Sequence, residues 1–460
     1  MNYSALNTSL WNPVIQLALI AVVILAANLL RRCIPLIRSS MLPVAVLGGF
    51  LLLLLKVIGV VKIDSTFMEM LTYHGIAIGF IALSLRVPEK TESGKGNLVG
   101  LKSGAVIVGS YMIQAITGLG ITLLLSATVL PKLFPAAGIL LPMGFGQGPG
   151  QANNIGSAYQ EAGFAGGHSF GLALAAAGYL VACVVGVLFM NILLRKGKLR
   201  KRSTEEIRGS VTLDTFEAKD ELPIAESLDR LSLQVSLVMA VYILTYLITW
   251  GITSGISSIS EGLANTVNSL LWGFNFIIGS ALAILVRSIL SRLRKTGIMK
   301  KQYQNNYLLG RISGFAFDIM IVAGIASIEI GDLKGLWLPF LLLVAAGAVV
   351  TLLHLAFVSK KVYGDYYYEG FLSMYGMMTG TISSGVLLLR EIDPNLETPA
   401  ANNLVTGSSF GILLGAPLLV LVGIAKKSTK MTLLTLGICI VYYFVLLAIV
   451  CIKKKEKENA

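Results

Sequence analysis

Residues 144–161 read GFGQGPGQANNIGSAYQE, a polar, glycine-rich stretch in a chain that is otherwise strongly apolar. Backbone groups that leave a helix at membrane depth have no water to bond, so irregular chain survives there only when buried in protein or lining a cavity. Pro149 interrupts a continuous helix, and the glycines let a ligand approach the backbone closely. Freed N–H groups at a helix N-terminus bind anions, whereas carbonyl, amide and hydroxyl oxygens suit a hard cation such as sodium. The stretch therefore predicts a ligand site.

A second interrupted stretch, YGMMTGTISSGVLLLRE at residues 375–391, offers glycine with Thr and Ser hydroxyls. We predict that the two stretches together supply the substrate ligands Gly146, Gln147, Gly148, Gly150, Gln151, Thr379, Gly380, Thr381 and Ser384. The predicted sodium ligands are Asn153, Asn154, Ser383 and Asp318. The alternative for the glycines is close helix packing, as small residues allow in membranes. Phosphate binding is excluded because no Gly-Lys-Ser/Thr follows the glycines.

Asp318 enters the sodium set because it lies in the middle of an apolar span, in GRISGFAFDIM. An ionisable residue at membrane depth is by default a functional candidate. The alternative is a structural pairing with Arg311, two turns earlier.

Composition places the chain among integral membrane proteins. Of its 460 residues, 55% are hydrophobic and 13% charged, with a mean hydropathy of +0.78. The net charge of +13 comes from basic residues in short loops between apolar runs, where they orient a membrane chain, so nucleic-acid binding is excluded. The four cysteines have no CxxC spacing and predict neither a disulfide framework nor a zinc site. The first apolar run is expected to be a retained helix and not a cleaved signal.

A spanning helix needs about 20 apolar residues. Windows of that kind predict eleven spans, at about 11–30, 41–61, 67–85, 103–127, 168–194, 231–250, 266–288, 306–329, 335–357, 406–425 and 431–452. Lys and Arg collect after the first, third and fifth spans, which places these loops in the cytoplasm and the N-terminus outside. The basic C-terminus is then cytoplasmic, and the protein is assigned to the inner (cytoplasmic) membrane. One small loop, with Lys426, Lys427 and Lys430, disagrees with this orientation.

This orientation requires two segments that enter and leave the membrane on the same face. They are re-entrant hairpins at about 131–166 and 362–405, which contain the two interrupted stretches. The hydrophilic linker 195–230 divides the chain into repeats at 1–194 and 231–425, of opposite topology, followed by an extra helix and basic tail at 426–460. The predicted fold class is therefore an all-α membrane protein built as an inverted repeat of two five-helix halves. Such repeats are typical of secondary transporters.

These residues resemble the bacterial sodium/glutamate symporters, of which the chain looks like a distant member. The resemblance rests on SSMLPVAVLGG (39–49), HGIAIGFIALSL (74–85), the stretch at 144–161 and YYYEGFLSMYGMMTGTISSGVLLLRE (366–391), and extends loosely over about residues 10–425. It implies two inverted five-helix halves, each with a glycine-rich re-entrant loop before its fifth helix. It also implies sodium-coupled uptake of glutamate by a homodimer in which a transport unit moves against a scaffold, with sodium as coupling ion and no other cofactor.

The chain departs from the family pattern at the predicted site. Gly146-Gln147-Gly148 stands where the family commonly has Gly-His-Gly. Met378-Thr379-Gly380 and Ser384 stand where a Thr-Pro-Thr run and an Asn are usual. The helix at 426–460 is also additional.

Three other functions are weighed against a sodium symporter for a small anion. An ion channel also uses re-entrant loops, but two unlike hairpins from opposite faces favour a carrier over a symmetric pore. A proton-coupled carboxylate carrier remains an alternative. An enzyme is not expected, because the sequence offers no nucleophile with a base, no metal cluster and no phosphate loop.

Overall fold

The computed structural model describes residues 3–4, 6–35, 37, 42–87, 95–198, 229–257, 271–272, 275–393 and 398–452, without the side chains of residues 95–97, 194, 383, 390 and 405. These residues form helices, and no strand occurs among them. In chain order the α-helices are α1 (Thr8–Cys33), α2 (Val44–Val57), α3 (Ser65–Leu85), α4 (Lys95–Ala127), α5 (Leu140–Phe145), α6 (Pro149–Glu161), α7 (Gly167–Arg195), α8 (Arg230–Ser257), α9 (Asn275–Lys295), α10 (Asn306–Ala326), α11 (Trp337–Tyr363), α12 (Tyr367–Thr379), α13 (Ile382–Arg390), α14 (Ala400–Ala425) and α15 (Thr429–Cys451). Short 3₁₀ helices lie at Pro135–Ile139, Ile330–Leu333 and Gly364–Tyr366.

Within the described residues, ten helices are long and apolar enough to cross a membrane. They are α1, α3, α4, α7, α8, α9, α10, the stretch Trp337–Thr379 that contains α11, and finally α14 and α15. The prediction of an all-helical, multi-pass membrane protein is therefore confirmed.

One of the eleven predicted spans is wrong in length. The apolar window at 41–61 forms only α2, a helix of 14 residues. At 1.5 Å per residue this helix covers about 21 Å, short of a hydrocarbon core about 30 Å thick. Gly59 ends the helical run in a turn with a positive φ of 76°, although apolar residues continue to Val61. The hydropathy of the window does not predict this turn, because the residues on both sides of Gly59 are apolar.

Three predicted segments fall partly outside the described residues. Most of the linker 195–230 does so, because the structure describes α7 to Lys198 and resumes at Asp229. The same holds for part of the predicted span 266–288 and for the basic tail beyond residue 452. The helix within 426–460 is present as α15.

Several helices begin where a polar side chain supplies an N-cap. Asp64 accepts a hydrogen bond from the N–H of Phe67 at 3.1 Å and so caps α3. Asn305 caps α10 in the same way through the N–H of Leu308, and Ser428 caps α15. Such side chains satisfy N–H groups that lack a partner within the helix. These caps fix where the apolar helices start.

Contacts divide the chain into two compact units. Unit 1 comprises Met1–Ala27, Ala45–Lys90 and Arg208–Ser327, and unit 2 comprises Asn28–Val44, Thr91–Ile207 and Ile328–Ala460. Each unit thus draws helices from both predicted halves. The predicted boundary at 195–230 divides the chain by sequence position and stays a prediction. The compact units do not follow this boundary, since each contains segments from both sides of it.

Unit 1 is organised around α3. Its core consists of apolar side chains from α3, α8, α9 and α10: Ile81, Ala82, Leu85, Val238, Val241, Ala283 and Leu309. Arg287 of α9 donates from Nη1 to the carbonyl oxygens of Ser84 and Arg86, at 3.1 and 3.0 Å. A cation at this position satisfies carbonyls that the end of α3 leaves without partners.

Candidate substrate and ion site

The first interruption lies in unit 2 between α5 and α6. Gly148 has φ 83° and ψ −173°, a backbone conformation that is essentially restricted to glycine. Pro149 then occupies the first turn of α6, where its missing N–H is not needed. Gly146 permits a second close approach, because a Cβ on it would lie 2.5 Å from the Tyr111 ring. The sequence therefore produces a sharp break there and not a bent helix.

The second interruption lies in the same unit between α12 and α13. Gly380 follows the last residue of α12, and its N–H still bonds to the carbonyl of Gly376 at 3.0 Å. Thr381 is the extended N-cap of α13, and its side chain makes no capping hydrogen bond. Both predicted stretches are thus helix–break–helix elements.

Each element folds back on itself. The rings of Phe134 and Phe164, which flank the first element, stack with centroids 5.5 Å apart. In the second, Nδ2 of Asn403 donates to the hydroxyl of Tyr366 at 2.8 Å. Both chain segments therefore return to where they started, as a hairpin must.

The two elements contact α4 at points on either side of its middle. At one end, Thr122 donates to the carbonyl of Pro135 at 2.7 Å, at the base of the first hairpin. At the other, the hydroxyl of Tyr363 donates to Ser103 at 3.2 Å, at the base of the second. Residues 103 and 122 are separated by about 28 Å along a helix. The breaks lie between them.

Mid-helix residues of α4 contact both breaks. The ring of Tyr111 lies against Gly146 of the first break. Nε2 of Gln114 donates to the carbonyl of Met378, just before the second break, at 2.9 Å. The middle of α4 therefore marks the level at which the two hairpin tips lie.

The tips are in contact with each other. A Cβ on Gly148 would lie 3.3 Å from Cγ2 of Thr381 and 3.8 Å from the carbonyl oxygen of Gly380. The same position would lie 3.8 Å from the hydroxyl of Tyr179 on α7. The structure thus brings the cores of the two predicted stretches together in one place.

Two helices begin at this contact, because Gly148 and Thr381 are the N-caps of α6 and α13. The first N–H groups of a helix have no partner within it and carry the positive end of the helix dipole. Two such ends at one point favour a bound anion. The C-terminal ends of α5 and α12, which precede the breaks, present carbonyl groups suited to a cation.

Buried polar atoms near the tips lack hydrogen-bond partners among the described residues. Gln151, in the first turn of α6, is only 1% exposed, and neither its Nε2 nor its Oε1 has such a partner. The hydroxyls of Thr381 and Ser384 are buried in the same condition. A buried polar group left unpaired costs about 1–3 kcal/mol, and each instance in a native structure needs an explanation. A ligand at the tips supplies one.

Other predicted ligands already have partners within the protein. Oδ1 of Asn153 lies 2.9 Å from Nε2 of His168, and its Nδ2 donates to Asn154 at 3.4 Å. The hydroxyl of Thr379 donates to the carbonyl of Tyr375 at 2.7 Å, within α12. Gln147 is half-buried, and Gly150 is buried in the first turn of α6. Asn153 and Thr379 therefore belong to the supporting structure as well as to the predicted site.

Two of the predicted sodium ligands cannot be assigned to the tips from the described side chains of unit 2. The side chain of Ser383 lies outside the described part of the structure. Asp318 belongs to unit 1, where it is exposed in the middle of α10 and forms no hydrogen bond or ion pair with a described residue. The guanidinium of Arg311 lies over the ring of Tyr307, 4.9 Å from its centroid, so no pairing with Asp318 is formed.

Sequence reasoning missed the residues that support the tips from α4 and α11. Nε2 of Gln114 also donates to Oγ1 of Thr351 at 2.9 Å, and both side chains are fully buried. The signal was present, because Gln114 is an uncharged amide in the middle of an apolar span. Intramembrane polar residues deserve attention even when they are not ionisable.

The described residues hold no group of three or more His, Cys, Asp or Glu side chains that could bind a metal ion. No protein-family model matches the chain, and no curated protein matches it. Function is therefore inferred from the geometry of the hairpin tips.

Proposed function

We propose that the chain is a secondary active transporter that couples the entry of sodium to the uptake of glutamate or a related small anion. One observation carries the proposal. The breaks of the two helix–break–helix elements meet at Gly148 and Thr381, where two helices begin and buried polar atoms have no hydrogen-bond partner among the described residues.

The anionic group of the substrate binds between the N-termini of α6 and α13. Backbone N–H groups and helix dipoles at these ends stabilise a carboxylate. The amide of Gln151 and the hydroxyls of Thr381 and Ser384 donate further hydrogen bonds, which relieves their unpaired burial. Polar side chains of this kind are neutral, so the site attracts an anion without holding a permanent counter-ion.

Sodium binds at the breaks, where helix C-termini present carbonyl groups, and Asn153, Asn154 and Ser383 are the side-chain ligands that the sequence predicts for it in unit 2. Opposite charges at neighbouring positions stabilise each other, especially where water is excluded. Each ligand therefore raises the affinity for the other, and by linkage the effect is reciprocal. This mutual stabilisation is the physical basis of the proposed coupling.

The hairpins enter the membrane from opposite faces, with their tips near its midplane. The support is their attachment to α4 at points about 28 Å apart, which matches a hydrocarbon core about 30 Å thick. Unit 2, which contains both hairpins, is assigned as the transport unit, and unit 1 as the scaffold of a homodimer. The N-terminus is placed outside and the protein in the inner membrane.

Uptake of labelled glutamate into proteoliposomes tests the proposal. An inward sodium gradient is expected to drive saturable, concentrative uptake, and unlabelled carboxylates added as competitors define the substrate class. Two or more sodium ions per substrate of charge −1 move net charge, so an inside-negative potential contributes about 2.3 kcal/mol per charge per 100 mV and accelerates uptake. Uptake driven by a proton gradient instead supports a proton-coupled carrier. Flux that does not saturate supports a channel.

A further inference from the structure

A cavity of about 610 Å³ lies in unit 2 at the base of the first hairpin. Its walls come from residues 129–134, 163–166, 332 and 334–336, so it contacts both ends of the hairpin and the turn before α11. No tip residue lines it. The cavity is therefore separate from the proposed substrate site.

The lining combines cations with apolar surface. Lys132 and Lys334 are exposed lining residues, and most of the rest is apolar, including Leu130, Phe134 and Leu336. The one lining carboxylate, Asp332, accepts a hydrogen bond from Ser169 at 2.9 Å. The charged lining side chains therefore carry a net positive charge, and they lie beside an apolar surface. This combination suits an amphiphile with an anionic head.

The position of the cavity also fits such an occupant. It lies just beyond the end of α4 at Ala127 and just before the start of α11 at Trp337, both helices of membrane-spanning length. Trp337 is 47% exposed and makes an edge contact with Phe340. Tryptophan is enriched at the level of lipid headgroups. These neighbours favour a position of the cavity near the membrane–water interface.

We propose that this cavity binds the headgroup of an anionic phospholipid, with the phosphate between the ammonium groups of Lys132 and Lys334 and the upper acyl chain against the apolar wall. Basic pockets between membrane helices recognise anionic headgroups by this combination. A bound lipid bridges both ends of the first hairpin and the 332–336 turn, and so stabilises the folded-back hairpin. Anything that binds only the folded state raises its stability.

Lipid binding and thermal unfolding of the full chain test the proposal. The purified protein is titrated with phosphatidylglycerol or phosphatidylcholine in mixed micelles, with binding counted by native mass spectrometry. Phosphatidylglycerol is expected to bind more tightly and to raise the unfolding midpoint. The double variant Lys132→Gln/Lys334→Gln should bind it at least about tenfold more weakly, since each surface lysine contributes on the order of 1 kcal/mol. Lys132→Arg/Lys334→Arg should retain binding.

A matched control removes two other lysines from unit 2. Lys427 and Lys430 are exposed in the loop before and at the start of α15, and neither lines the cavity. Lys427→Gln/Lys430→Gln should leave phosphatidylglycerol binding unchanged. Equal effects of the two double variants, or equal binding of the two lipids, would overturn the proposal. Inorganic phosphate that protects the protein as well as phosphatidylglycerol does would also overturn it, in favour of a free-anion site. None of these readouts depends on transport.

Discussion

Gly148 and Thr381 lie so close together that a Cβ added to Gly148 would be 3.3 Å from Cγ2 of Thr381. Each residue is the N-cap of a helix, α6 or α13, that starts from this point. The contact therefore joins the two predicted stretches through the positive ends of two helices. Several consequences of this arrangement can be measured.

Replacing Gly148 by alanine should abolish or strongly reduce uptake. The backbone conformation of Gly148 is essentially restricted to glycine, and forcing another residue into it costs about 1–3 kcal/mol. The added methyl group also faces Thr381, so relaxation of the strain displaces the tip. Uptake and the unfolding midpoint should be measured on the same preparation.

Gly59→Ala is the matched control for Gly148→Ala. Gly59 also has a positive φ, 76°, but a Cβ there would meet nothing within 4 Å. Gly59→Ala therefore has the conformational free-energy cost of a positive φ but places no methyl group against the tips. Uptake by the folded protein should persist. A Gly148→Ala protein that folds and keeps the wild-type KM would show that the tip contact is not needed for binding.

Replacing Gln151 by methionine should separate a ligand role from a structural one. The buried amide has no described partner, so a side chain of similar length without polar atoms should leave the unfolding midpoint unchanged or raise it. The same change should raise the KM for glutamate by about tenfold or more, because a hydrogen bond to a charged group contributes about 1.5–3 kcal/mol.

Gln114→Met provides the contrast within the same unit. Nε2 of Gln114 donates to both Thr351 and Met378, so its loss should lower the unfolding midpoint. If Gln151→Met lowers the midpoint in the same way and leaves KM unchanged, Gln151 is a structural residue and the assignment to substrate fails.

Asp318→Asn should raise the sodium concentration needed for half-maximal uptake. Asp318 is exposed in the middle of α10 without a described partner, and the amide keeps its shape while removing its charge. Insertion and folding should persist, since a carboxylate at this depth is itself costly in a membrane. Asp229→Asn, at the exposed start of α8, controls for the loss of one charge. An unchanged sodium dependence would overturn the sequence-based prediction that Asp318 is a sodium ligand.

The sequence alone located both breaks because they depend on local chemistry. Gly148 adopts a positive φ, and Pro149 lacks the N–H that a continuous helix would need there. Gly380 and Thr381 interrupt the second stretch just after α12. The predicted segments 131–166 and 362–405 accordingly contain the two helix–break–helix elements, and their re-entrant insertion into the membrane stays a prediction.

Properties that depend on tertiary contacts could not be predicted from the sequence. The division into units that draw on both halves depends on packing between distant helices. The hydrogen bond between Asn153 and His168 was not predicted, because His168 lies at the start of the predicted span 168–194, 15 residues from Asn153. The short α2 shows that an apolar window records hydrophobicity and not helix length.

Single cysteines at the tips test most directly whether the two hairpins form a water-accessible substrate site. In a background with Cys33, Cys183, Cys439 and Cys451 replaced by alanine, Thr381→Cys is treated with a membrane-impermeant maleimide. Leu413→Cys, 73% exposed on the apolar α14, is the unreactive control, and Lys427→Cys is the reactive one. We predict that the cysteine at position 381 reacts, and that sodium with glutamate slows its reaction while leaving the control at position 427 unaffected. Inertness at position 381 under every condition, or a reaction rate indifferent to sodium and glutamate, would contradict a substrate site at the hairpin tips.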